Sequence, residues 1–254
     1  MKQIILLFIL TSLIQAQQFK YREFSNVKNF YSSITKDVIK LSIKYKTPPA
    51  VILAIAGLES GYGSGYVSQI TGNILSLGAN KNDIQLPSLN IPYCKNDKLK
   101  TPLFISHKQS LCKELIWKQR PKSLKKDYRP FSIAGTTSNL DFFTLHQEEF
   151  KKAKLQNIED FLKIWINKNH KYKPFRDTRV WLDGKIKKEG MDTLFKLDTN
   201  RDFANKIGGK KNSFNYRETW PKKVNYILTK TGLTQLCSTM YYKKSSFQQA
   251  WNQH

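Results

Sequence analysis

The sequence predicts a mainly α, α+β fold, and three observations carry that prediction. Helices are read before residue 79, where the first has mixed apolar periodicity, and apolar and aromatic residues recur at helical intervals after residue 138. Between them, from about Ala79 to Phe131, prolines recur at Pro87, Pro92, Pro102, Pro121 and Pro130 among scattered charges and short apolar runs such as Pro102-Leu103-Phe104-Ile105. That stretch reads as loops and short strands in a small insertion lobe. The third observation is the run from Pro48 to Ala56, apolar on every face, which marks a helix buried in a core. The expected division is a leader over residues 1–16, one domain over 17–236 with its β/loop lobe at 79–131, and a polar tail over 237–254. No internal repeat is present.

The elements follow in order. Met1-Lys2-Gln3 carries positive charge, an apolar run extends from Ile4 to Leu10, and Gln15-Ala16-Gln17 offers a cleavage point after Ala16. This pattern is a secretory signal, too short for a membrane anchor, so the chain is expected to be exported, periplasmic or secreted. No Cys directly follows the cleavage point, which argues against a lipoprotein. Residues 18–46 read as a polar lead-in and then a helix carrying Val38, Ile39, Leu41, Ile43 and Tyr45. Thr47 is suited to cap the apolar helix, with Pro48 in its first turn. Gly61, Gly63 and Gly65 stop that helix, and Thr71-Gly72-Asn73 leads into Ile74-Leu75-Ser76-Leu77-Gly78. Helical spacing returns over Leu140–Phe150, over 158–168, and over 190–208 up to Gly208-Gly209. Thr219 caps a further helix, with Pro221 in its first turn, running to Gly232. From Cys237 the chain is polar and is expected to be loosely ordered.

The net charge of +24 is spread along the chain. It is either a solvated basic surface or an attraction to a polyanion, and for an exported protein those polyanions are cell-wall polymers and lipid headgroups. No common nucleic-acid-binding motif appears, so no nucleic-acid partner is expected. Of three cysteines, Cys94 and Cys112 lie close enough to staple an irregular segment and Cys237 is left over, unless all three are free thiols. No metal-ligand spacing and no cofactor motif is present. A monomer is expected.

Glu59 is the chemical centre of this reading. It stands at the C-terminal end of the apolar helix, in Gly57-Leu58-Glu59-Ser60-Gly61-Tyr62-Gly63. A carboxylate buried without a cation is costly to ionise, so its pKa is expected to rise. A carboxylic acid still protonated near neutral pH can protonate a leaving group.

The segment Ala54-Ile55-Ala56-Gly57-Leu58-Glu59-Ser60-Gly61-Tyr62-Gly63-Ser64, followed by Gly72-Asn73-Ile74-Leu75-Ser76-Leu77-Gly78, resembles the glucosaminidase family of peptidoglycan hydrolases, which includes flagellar, autolysin and Bax-like members. The two motifs cover about 30 residues closely, and Asp202 to Ile207 and Trp220 to Leu228 are similar more loosely. The resemblance implies a lysozyme-like helical domain, with the Glu helix lining a sugar cleft beside a small β-lobe, and it makes the second motif, Gly72 to Gly78, a strand. It implies that Glu59 protonates the glycosidic oxygen. Tyr62 then either stacks on a sugar face or packs as an ordinary aromatic. Asn73 either bonds a sugar acetamido group or organises its turn.

Two departures from the family pattern stand out. The family often carries a β-lobe Glu, and the nearest counterpart here, Leu86-Pro87-Ser88-Leu89-Asn90-Ile91-Pro92-Tyr93, has Asn90 in its place. Asp83, Asp97 and Glu114 are nearby acids outside any recognisable motif; each is either a surface charge or the second carboxylate, a role for which Asp83 is placed first. The family's cleft Tyr corresponds to Leu197, with Tyr216 as a substitute phenol. An inverting glycosidase wants its base about 6.5–9.5 Å from the acid and a retaining one wants a nearer nucleophile. The expected function is an exported N-acetylglucosaminidase acting on glycan strands; a lytic transglycosylase and a glycan-binding protein of weak or no activity are the alternatives.

Overall fold

The computed structural model describes residues 19–79, 86–87, 89–96, 112–119, 126–130 and 139–253. The expected leader, Asp83 and Asp97 lie outside these. Among the described residues the chain is mainly helical with short antiparallel strands, as expected for a mainly α, α+β protein. It divides into two compact units, one spanning Glu59–Ile158 and the other joining the chain through Leu58 to the chain from Glu159 on. The central unit is therefore longer at both ends than the expected lobe at 79–131.

The helical unit opens with a 3₁₀ turn, Lys20–Glu23, and α1, Ser25–Lys44. α1 buries Val27, Phe30, Tyr31, Ile34, Val38 and Ile39 at helical spacing. The carbonyls of the two residues that follow it are held by Arg179, which donates to Tyr45 O and Lys46 O at 3.0 Å each. α2, Pro49–Ser60, begins in this unit, and its residues Ala50 to Ala56 are all at most 1% exposed. The cap expected from Thr47 is supplied from a distance. The helix starts at Pro49, and the Val51 N–H is taken by Asn200 Oδ1 at 2.8 Å. The Asn200 amide nitrogen donates to Leu194 O and Lys196 O, so this buried side chain is itself fixed.

The rest of the helical unit comprises a π turn at Phe161–Trp165, α6 (Lys173–Glu189), a 3₁₀ turn at Met191–Phe195, α7 (Leu197–Ile207), α8 (Trp220–Thr231), α9 (Leu233–Tyr242) and α10 (Phe247–Trp251). α6 packs on α7, and α7 on α8. The tail expected to be loose from Cys237 is instead helical and packed. Cys237 is a buried free thiol, pushed up in pKa by that burial. α10 has a capping box between Ser246 and Gln249 and buries Ala250 and Trp251.

Arg22 fastens this end of the chain. It is 7% exposed. Its guanidinium donates to Thr231 O (2.9 Å), Gly232 O (3.2 Å), Ala250 O (3.3 Å), Trp251 O (2.6 Å) and Gln253 O (2.8 Å). It also lies 4.5 Å from the Phe19 ring centroid and 5.3 Å from that of Trp251. Carbonyls at the C-terminal ends of α8 and α10 carry partial negative charge, so they accommodate a buried cation. Desolvation still pulls its pKa down to about 10.

The central unit contains the end of α2, then α3 (Tyr66–Thr71), β1 (Leu86–Pro87), β2 (Asn90–Cys94), β3 (Leu115–Gln119), β4 (Lys126–Asp127), α4 (Phe142–Leu145) and α5 (Gln147–Asp160, of which the last two residues belong to the helical unit). β2 pairs antiparallel with β3, from Asn90 opposite Gln119 to Cys94 opposite Leu115, and β1 pairs with β4. A Cys94–Cys112 disulfide staples the far end of the β2–β3 pair, which removes the alternative of three free thiols. Ile70, Leu89 and Leu140 form one apolar cluster of this unit, and Phe143 and Ala153 another.

Candidate active site

The exit from α2 sets the geometry around Glu59. Gly61, Tyr62 and Gly63 all adopt left-handed backbone, with φ of 57°, 55° and 77°. Glycine does this without cost, whereas Tyr62 is a side-chain-bearing residue in a sparsely populated region. The turn is locked by Ser60, which is buried. Its Oγ accepts from Gly63 N at 2.9 Å and its carbonyl accepts from Gly65 N at 2.8 Å. Glu59 and Tyr62 are both half-buried, so Glu59 sits at the edge of the core rather than fully inside it.

The second motif is a loop, not the short strand expected. Residues 74 and 75 form a turn, and of this segment only Gly78 makes a β-bridge. Asn73 is the reason. Its side chain is 2% exposed. Nδ2 donates to Leu77 O (2.9 Å) and Tyr128 O (3.2 Å). Oδ1 accepts from Leu77 N (2.9 Å) and from Asn157 Nδ2 (3.0 Å). Asn157 Oδ1 in turn accepts from Leu75 N at 2.9 Å. An amide offers two donors and two acceptors, and Asn73 uses all four inside the protein. Of its two expected roles, this geometry corresponds to organising the turn, and it leaves no polar atom over for a sugar acetamido group. Gly72 is required beside it: φ is +74°, and a Cβ there would lie 2.5 Å from Ala153 Cβ.

The loop brings the two motifs together. Ser76, exposed and with φ of 50°, points its hydroxyl at the Glu59 carbonyl, 3.4 Å away. Glu59, Tyr62 and Ser76 therefore occupy one neighbourhood of the central unit, shaped by two left-handed backbone turns. Ser76 was not singled out by sequence reasoning, because a serine in a short polar–apolar alternation carries no signal of its own.

The other site residues are placed as follows. Asn90 opens β2 and is exposed. Glu114 is held in an exposed ion pair with Lys95 at 2.6 Å. Asp83, the acid chosen as second carboxylate, lies outside the described residues. Tyr216 belongs to the helical unit and is 72% exposed, and Leu197 is the first residue of α7 there. Sequence reasoning also passed over Trp117, 40% exposed on β3 in register with Pro92. An exposed indole on a disulfide-stapled hairpin is a ready apolar platform for a flat ligand face. Among the described residues no group of acids, histidines and cysteines is arranged to hold a metal ion, and no helix is long and apolar enough to cross a membrane.

No family model, no curated protein and no solved structure matches this chain.

Proposed function

We propose that this protein is an exported glycoside hydrolase that cleaves β-1,4 bonds in the glycan strands of peptidoglycan, an N-acetylglucosaminidase with Glu59 as general acid. One observation carries the reading: a half-buried carboxylate-bearing residue ends a wholly apolar helix, and a loop pinned by Asn73 sets an exposed serine against its backbone. Such a carboxyl group, partly withdrawn from water and held on a rigid helix end, is suited to deliver a proton to a leaving oxygen. Tyr62 and Trp117 supply apolar faces for sugar rings. The positive charge of the chain concentrates it on an anionic wall, an attraction that weakens as salt rises.

The test is release of reducing ends from purified peptidoglycan. Wild-type protein releases them and Glu59→Gln does not, while the variant keeps its fold by circular dichroism. Wild-type-like turnover by Glu59→Gln removes Glu59 from the chemistry. Anhydromuramyl product ends in mass spectrometry mark a transglycosylase instead. A second reading, a wall-binding protein without hydrolysis, is favoured by Asn90, which stands exposed where the resembling family carries an acid. Binding to insoluble peptidoglycan with no product from the wild type supports that reading.

A further inference from the structure

The helical unit carries a groove that glycan hydrolysis leaves unused. It encloses about 960 Å³. Its floor is apolar and comes from three elements: Ile39 and Ile43 of α1, Met240 and Tyr241 of α9, and Phe247 of α10. Its rim is cationic. Lys36 and Lys40 stand one turn apart on α1, and Lys244 stands across from them after α9. All three lysines are exposed, and none of the ion pairs of the described residues includes them. Lys244 is held over the Tyr241 ring, 4.9 Å from its centroid, by a left-handed backbone with φ of 53°. Of the remaining polar wall, Ser246 and Gln249 bond each other in the capping box of α10 and Ser32 donates to Asn29 O, while Ser245 and the Tyr241 hydroxyl add neutral polar groups.

We infer that this groove binds a small anionic amphiphile, a single alkyl chain ending in a phosphate or carboxylate. Charge complementarity selects the head, because the charged groups of the lining, Lys36, Lys40 and Lys244, are all cations. The floor selects the tail: apart from the Tyr241 hydroxyl its aliphatic, thioether and aromatic surfaces are apolar, and methionine adapts to a flexible chain. Size selects a small molecule. The volume falls within the about 300–1,000 Å³ of small-ligand pockets, whereas a stable protein partner needs about 800 Å² of contact per side. The ligand is a dispersed monomer that enters the groove, not a bilayer on which the protein rests.

The test is isothermal titration calorimetry of the full-length protein with dodecyl phosphate below its micellar concentration. Saturable binding with one site is expected. Dodecyltrimethylammonium, with the same tail and the opposite head charge, and inorganic phosphate, with the head alone, should both bind at least about tenfold more weakly. The triple variant Lys36→Gln, Lys40→Gln, Lys244→Gln changes only exposed side chains and should weaken dodecyl phosphate about tenfold. Ile43→Asp, which places a carboxylate on the floor, should weaken it further. The inference is overturned by absence of saturable binding, by equal affinity of the triple variant, by equal binding of the cationic surfactant, or by binding seen only with phosphatidylglycerol vesicles. None of these outcomes depends on Glu59 or on release of glycan products.

Discussion

Arg22 in the helical unit and Asn73 in the central unit are both buried, heavily bonded polar side chains, and the two serve different ends. In the helical unit Arg22 gathers the ends of α8 and α10 and the last described residues, elements more than 200 positions away in sequence. In the central unit Asn73 gathers Leu77, Tyr128 and Asn157, and so holds an irregular loop beside Glu59. Arg22 fixes where the chain closes; Asn73 fixes the shape of a short loop. A buried polar group is tolerated only when its partners are complete, so each position is intolerant of change, but the loss should show in different observables.

The largest effect expected is from Arg22→Met. It removes the donor and leaves carbonyls of α8 and α10 buried and unpaired, which should cost about 3–5 kcal/mol of unfolding free energy. Urea denaturation measures it, as a lower midpoint with unchanged slope. A loss below about 1 kcal/mol would mean that water replaces the guanidinium readily, and the comparison between the two residues would fail.

Next comes Asn73→Ala, expected to cost about 2–4 kcal/mol because Leu77 N–H, Leu77 C=O, Tyr128 C=O and the Asn157 amide lose their partner. Its signature is local. Hydrogen exchange at Leu75 and Leu77 should accelerate more than at α1 amides, and glycan release should fall with it. Asn73→Asp sharpens the point, since it keeps the acceptor for Leu77 N but loses both donors. It should be intermediate in stability at low pH and worst when ionised.

These two side chains also mark what can be read from a sequence. Glu59, the apolar α2 and the stop at Gly61 and Gly63 were legible because they are local: composition over a few residues dictates burial and helix exit. The motif containing Asn73 was legible, but its conformation was not, since the loop is set by Asn157 and Tyr128, 84 and 55 positions away. Arg22 gave no sign at all, because its partners are backbone carbonyls that no side-chain pattern reveals. α6 was missed for another reason: two of its buried positions, Thr178 and Arg179, are polar, which thins the apolar stripe between Phe175 and Leu182. The order of the C-terminal end did have a signal, the Ser246–Gln249 capping spacing, in a stretch whose polarity suggested a loose tail.

Asn200→Ala addresses the helix that carries Glu59 at its other end. It removes the cap on Val51 N and the side-chain bond to Leu194 O, while Lys196 O keeps the Asn200 backbone N–H, for an expected loss of about 1–2 kcal/mol. Asn200→Asp retains the acceptor and should recover part of it. If both variants lose equally, the donated bond to Leu194 O matters more than the helix cap.

The smallest effect expected belongs to Glu189, which contrasts with both buried side chains because it is exposed. Hydrogen bonds from Lys185 and Lys196, at 2.9 Å each, hold its carboxyl pKa down to about 2 from 4.5, with a weaker contribution from Thr193. A folded-state pKa below the unfolded one means that the unfolded chain binds the proton first as pH falls. The stabilisation is therefore complete above about pH 4.5 and drains away between there and about pH 2. Glu189→Gln should lower stability by a small, constant amount at neutral pH, and its difference from the wild type should shrink to nothing across that window. Salt at about 1 M should shrink it at every pH, since exposed pairs are screened within about 3 Å. A difference that grew on acidification would mean that Glu189 is stabilised as the neutral acid, and the two lysines would then not be its effective partners.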